Sequence, residues 1–116
     1  MNIIDTPIPG LYLFQPQAIA DNRGFFAEVF TQRELSQIGH TKPIIQVNHS
    51  KNVQQGTLRG MHFQYPPHAE IKIIKCIRGA IYDVAVDIRQ GSPTFLQWHA
   101  HQLSEENMTL FYIPEG

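Results

Sequence analysis

The stretch IKIIKCIRGAIYDVAVDI, residues 71–88, decides the fold. Its first half, from Ile71 to Ile77, is rich in isoleucine, whose branched side chain suits a pleated, half-buried strand. Arg78-Gly79 punctuates it. The second half alternates in part: Asp83 and Asp87 share one face, and Tyr82, Val84, Val86 and Ile88 share the other. Two strands are expected here.

Outward from this pair, similar signals recur. Strands are expected over residues 44–50, 56–64, 94–103 and 108–114, with a short apolar segment at 11–14. The turn cluster Asp21-Asn22-Arg23-Gly24 leads into a further strand over 25–30. Only one helix is expected, over 32–38. Thr31 and Glu34 have the spacing of a capping box, and Gly39 suits the stop. Many short strands with a single helix predict an all-β sandwich or antiparallel barrel.

A chain of 116 residues is one domain's worth. Hydrophobic residues make up 42% and charged residues 16%, which excludes a disordered or polyionic chain. The net charge of −1 gives no global attraction to nucleic acid or a membrane surface, so any anion site must be built from a few placed Arg and Lys. Cys76 is the single cysteine, which excludes an intrachain disulfide framework and fits a reducing compartment. MNIIDTPIPG lacks the charge and apolar run of a signal peptide, and no stretch approaches the ~20 apolar residues of a membrane span. A cytoplasmic protein is expected.

Two constellations could carry chemistry. His99, His101 and Glu105 share strand parity, a spacing that metal-binding β-barrels use. Against that, the same residues suit a solvated strand face, with Glu105 in the turn Ser104-Glu105-Glu106-Asn107. No metal is expected. In the second constellation, His62 and Gln64 share one strand face, and Lys72 sits inside an apolar strand. Burying an unpaired ammonium is costly, so an inward Lys72 needs an anionic partner, which a substrate could supply. Otherwise Lys72 and Lys75 flank a half-exposed strand.

These residues fall within a longer pattern. It comprises Asp21-Asn22-Arg23-Gly24-Phe25-Phe26-Ala27-Glu28, Gln46-Val47-Asn48-His49-Ser50 and Thr57-Leu58-Arg59-Gly60-Met61-His62-Phe63-Gln64, followed by Lys72 in its apolar strand. Arg78 to Arg89, Ser92-Pro93-Thr94-Phe95, Leu103 to Asn107 and Tyr112-Ile113-Pro114-Glu115-Gly116 complete it. In this the sequence resembles the dTDP-4-dehydrorhamnose 3,5-epimerases of deoxysugar biosynthesis, which adopt a cupin-type antiparallel jelly roll. The resemblance implies that His62 is the catalytic base and that Lys72 steadies the developing enolate. It implies that Arg59 helps hold the diphosphate and that Gln46 and Asn48 line the same cavity. Arg23, Phe26 and Glu28 would lie on an N-terminal strand that reaches into the neighbouring subunit of a homodimer. A dTDP-sugar substrate and no cofactor follow from the same likeness, while His99 and His101 fall where the family has ordinary strand residues.

The family pattern runs on past Ile113-Pro114-Glu115-Gly116, into a C-terminal third that carries the proton-donating tyrosine and the carboxylate partner of the base. Residues 1–116 are therefore expected to be a single cupin-like domain, incomplete relative to the family and not a competent epimerase alone. Other expectations remain open beside the epimerase: a non-catalytic relative that binds nucleotide sugar or dimerises, a single-position epimerase or ketoisomerase, and a metal cupin using His99, His101 and Glu105.

Overall fold

A computed structural model describes residues 1–116. The order of elements is β1 (Asn2–Asp5), β2 (Tyr12–Gln15), β3 (Ala18–Asp21), β4 (Gly24–Ala27), α1 (Gln32–Gln37), β5 (Lys72–Lys75), β6 (Ala80–Val86), β7 (Trp98–Ser104) and β8 (Leu110–Ile113). Every strand pairing is antiparallel. Four strands form one sheet in the order β1-β2-β8-β5, while β3–β4 and β6–β7 form two-stranded sheets.

Alternation of side chains places a core on each face of the four-stranded sheet. On one face, Leu13 of β2 and Phe111 of β8 pack with Leu11 and Cys76 against Ala85 of β6 and Leu103 of β7. This is the space between the two layers. On the other face, Phe14, Leu110 and Tyr112 receive Leu35 of α1. Phe14 and Phe111 are completely buried, and each such side chain contributes about 1.5–3 kcal/mol relative to exposure.

Helix α1 starts as its sequence requires: the Thr31 hydroxyl accepts from the Glu34 amide at 3.2 Å, a cap that contributes about 1 kcal/mol. The reciprocal half of the expected capping box is replaced. Glu34 pairs instead with the N-terminal ammonium of Met1 at 3.2 Å, tying β1 to the helix.

The strands expected over 44–50 and 56–64 do not form. No strand of the chain hydrogen-bonds to either segment. Ile45, Val47 and Leu58 are each about 90% exposed. A β-branched run becomes a strand only when another strand takes up its backbone N–H and C=O groups. The remaining differences are shorter. The strand expected over 94–103 starts at Trp98 because Thr94 is held in a turn by Asp87. The one expected over 25–30 ends at Ala27. Neither β1 nor β3 was marked by the sequence pattern; β3 forms because the Asp21–Gly24 turn folds it back on β4.

Candidate functional site

The inward face of the β6–β7 layer carries polar side chains among apolar ones. Strand β6 directs Ile81, Asp83 and Ala85 inward, opposite Leu103, His101 and His99 of β7. Ile81, Ala85 and Leu103 belong to the inner core. The His99 ring meets the buried Phe111 ring edge-on, with centroids 6.4 Å apart. His99 and His101 therefore occupy the half-buried inward face, which corrects their assignment to a solvated surface. Strand parity predicts that they share a face. Which face is inward depends on the register with β6.

Lys72 is the first residue of β5 and lies on the same side as Ile74, which packs on the inner core. Its ammonium is 3.3 Å from the Glu70 carboxylate, and the side chain remains 29% exposed. Glu70 in turn accepts from the Gln64 amide at 3.4 Å. Lys72 therefore stands at the boundary between the interior and the solvent. Lys75 faces the other way and donates to the Met108 carbonyl at 3.3 Å.

Asp83 is the group that sequence reasoning left out of the site. Its Oδ2 is buried and has no hydrogen-bond partner. Burial pushes its carboxyl up from the ordinary carboxylate range, opposed by a hydrogen bond from the Val84 amide and by the positive charges of Lys72 and His62. A carboxylate, a lysine and a histidine from three separate segments are thus within electrostatic reach of one another. The available signal was Asp83 between Tyr82 and Val84 in the partly alternating, largely apolar stretch 80–88.

His62 lies in the irregular segment before β5 and is exposed. Arg59, on the same segment, donates to the Lys51 carbonyl at 3.5 Å and is otherwise open to solvent. Gln46 and Asn48 are brought together, the Gln46 amide donating to Asn48 Oδ1 at 3.1 Å, on an exposed stretch. Arg23 is held by Asp21 at 2.6 Å in the β3–β4 turn. Phe26 is 71% exposed on β4, and Glu28 just beyond it is also exposed. No hydrogen bond or ion pair joins Arg23, Phe26 or Glu28 to His62 or Lys72, and β3 and β4 hydrogen-bond as strands only to each other.

The three candidate metal ligands are not assembled as a set. Glu105 is used elsewhere, accepting from the Gly79 amide at 3.3 Å while its own amide donates to the Gly79 carbonyl at 3.0 Å. Gly79 has φ +76°, a conformation that a residue with a side chain adopts rarely, so the turn at Arg78-Gly79 and Glu105 are matched to each other. No helix is long and apolar enough to cross a membrane.

The family model for dTDP-4-dehydrorhamnose 3,5-epimerase matches residues 5–116. A dTDP-4-dehydrorhamnose 3,5-epimerase of Shigella flexneri is 45% identical over the whole of this chain, which spans 64% of that protein. Among solved structures, the enzyme of that name from Elizabethkingia anophelis superposes with a TM-score of 0.94 at 37% identity, covering 100% of this chain and 63% of the other. The dTDP-6-deoxy-D-glucose-3,5-epimerase of Legionella pneumophila, in complex with dTDP-4-keto-L-rhamnose, gives 0.91 at 44% identity and covers 99% and 61%. The chain thus spans just under two thirds of these relatives and shares with them the cupin-type jelly roll. With this match along nearly its whole length, the chain belongs to the dTDP-4-dehydrorhamnose 3,5-epimerase family.

Proposed function

We propose that the protein takes part in the epimerisation of a dTDP-linked 4-keto-6-deoxyhexose, of the dTDP-4-dehydro-6-deoxyglucose to dTDP-4-dehydrorhamnose type. The observation that carries this reading is Lys72 on the inner side of β5, its charge and that of His62 reaching the buried Asp83 carboxyl, in a chain of this family.

The chemistry suits these groups. A 4-keto group acidifies the hydrogens on C3 and C5. His62 removes one as general base, which leaves an enolate with its charge on O4, and return of a proton to the opposite face inverts the carbon. A positioned base of this kind supplies roughly 10²–10⁴ in rate. The Lys72 ammonium faces the enolate oxygen, where loss of one such stabilising group costs ~2.7–4 kcal/mol. Arg59 neutralises the diphosphate, Gln46 and Asn48 line the cavity, and Arg23, Phe26 and Glu28 hold the nucleotide. The reaction needs no cofactor, and the protein acts in the cytoplasm.

In this reading residues 1–116 act as one cupin-like unit that works as a homodimer with exchange of its N-terminal strands. The support is the β3–β4 hairpin, which exposes Ile19, Phe25 and Phe26 together. An apolar arm of that kind is stabilised by packing on a second copy. Sedimentation should give twice the chain mass at micromolar concentration, and a monomer there would remove the exchanged arm from the proposal.

The deciding experiment incubates the protein with dTDP-4-dehydro-6-deoxyglucose in deuterated water. In a chain that carries the complete family site, deuterium should enter C3 and C5 of the sugar. Entry at one carbon alone would make the protein a single-position epimerase. Binding of the nucleotide sugar with no exchange would make it a non-catalytic binding relative.

A further inference from the structure

We propose that Asp83 is a positioning residue for Lys72, the interior carboxylate that draws the ammonium inward from the rim, where Glu70 competes for it. The proposal rests on the reading of Lys72 as the cation that meets the enolate.

The two carboxylates differ in place. Glu70 is half in solvent and pairs with Lys72 at 3.3 Å. Asp83 is on the inward face of β6, opposite His101, and its Oδ2 has lost water without gaining a donor. A buried acceptor left open in this way is costly, so it stands out as a vacancy in an otherwise satisfied interior. The groups whose charge reaches it are Lys72 first and His62 second. Lys72 has a flexible four-carbon stem and three rotatable donors, so its ammonium can swing between two acceptors on either side of the rim. In the outer position it is hydrated and screened. In the inner position it works in a medium of lower dielectric, where a cation stabilises a developing oxyanion far more strongly. Asp83 touches no reacting atom in this arrangement. It sets where Lys72 waits.

Glu70 supplies the opposing pull. It also accepts from Gln64, two residues from the base His62, so the rim pair ties the β5 entrance to the segment that carries His62. A substrate diphosphate or enolate entering beside Lys72 would displace Glu70, and Asp83 would then keep the ammonium inside.

The test follows the Asp83 carboxyl and the Lys72 Cε by NMR as the pH is raised from acid to neutral. It uses the wild type, Glu70→Gln, Lys72→Met and Asp83→Asn. Lys72→Met should move the Asp83 titration upward, and Glu70→Gln should move it downward, because the released ammonium turns inward. Asp83→Asn should slow deuterium entry into dTDP-4-dehydro-6-deoxyglucose roughly 10–100-fold, with the affinity for dTDP unchanged. An Asp83 titration indifferent to Lys72→Met overturns the proposal, whatever the wild type does to the sugar. A responsive Asp83 in a wild type that exchanges no deuterium keeps the pairing and removes the epimerase reading instead. Glu70→Gln is a surface change, so its result does not depend on how the interior variants fold.

Discussion

Asp83 within β6 and Asp87 just past its end share sequence parity, four residues apart, and meet opposite treatment. Asp87 accepts five hydrogen bonds: from the Arg89 amide at 3.0 Å, Arg89 Nε at 2.9 Å and Nη2 at 3.1 Å, Ser92 Oγ at 2.6 Å and Thr94 Oγ1 at 2.7 Å. Its side chain is fully covered, and these partners, Arg89 first, hold its carboxyl far below the ordinary range. Asp83 has a buried oxygen with no partner, and burial pushes its carboxyl the other way. Arg89 also donates to the Pro9 carbonyl at 2.8 Å, so Asp87 knots the turn after β6 to the loop before β2. One end of the inner layer is closed by charge that is fully satisfied. Further along the inward face Asp83 is left unsatisfied, and there the proposed chemistry has Lys72 and His62 within electrostatic reach.

The sharpest way to break this contrast acts at the unsatisfied site. In a chain that carries the complete family site, His62→Ala should reduce deuterium entry into the 4-keto sugar by roughly 10²–10⁴, the value of a positioned base. His62→Asn should fail as well, since an amide does not take up the proton. His62 is exposed and outside every strand, so the thermal midpoint should stay within a degree or so, the size of a neutral surface change. A large fall in stability would show that His62 is structural and would move the base elsewhere.

The closed end should respond in the reverse manner. Asp87→Ala removes the acceptor of five hydrogen bonds and strands the partly buried Arg89, and should cost about 3 kcal/mol of stability in urea unfolding. The sign with pH follows from its lowered titration. The stabilisation is fully present above the ordinary carboxylate range and is lost as pH falls through the folded-state value. The deficit of Asp87→Asn relative to wild type should therefore be largest at neutral pH and shrink in acid. A deficit that stays constant down to the acid limit would mean that packing, not the charge, closes this end.

How much of this was legible in the sequence follows the same division. The strands β5 and β6, the single helix with its Thr31 cap, and the shared parity of Asp83 and Asp87 are local patterns, and they can be read from the sequence. The segment 41–70 has the right residue types for strands, yet Ile45, Val47 and Leu58 stand in solvent because no strand of the chain lies beside them. A strand's partner is not written in the strand. The inward aim of His99 and His101 depends on the register of β7 on β6, and the isolation of Asp83 depends on which donors fail to reach it. Resemblance supplied His62 and Lys72. Only the assembled interior adds Asp83 to them.

The smallest expected effect is also the most discriminating. Asp83→Asn should stabilise the protein at neutral pH by about 1 kcal/mol, because an amide does not carry the desolvated charge of the unpartnered oxygen. A carboxyl raised in the folded state binds its proton more tightly there than in the unfolded chain, so the native protein is favoured in acid and penalised as pH rises through the folded-state value. The gain from Asp83→Asn should thus be full at neutral pH and vanish in acid. Acid therefore erases a gain at residue 83 and a loss at residue 87, four residues apart, in the same titration. Measuring urea midpoints of both asparagine variants at neutral and acid pH tests the two together. If Asp83→Asn destabilises at neutral pH instead, Asp83 is already paired, and its site is as closed as that of Asp87.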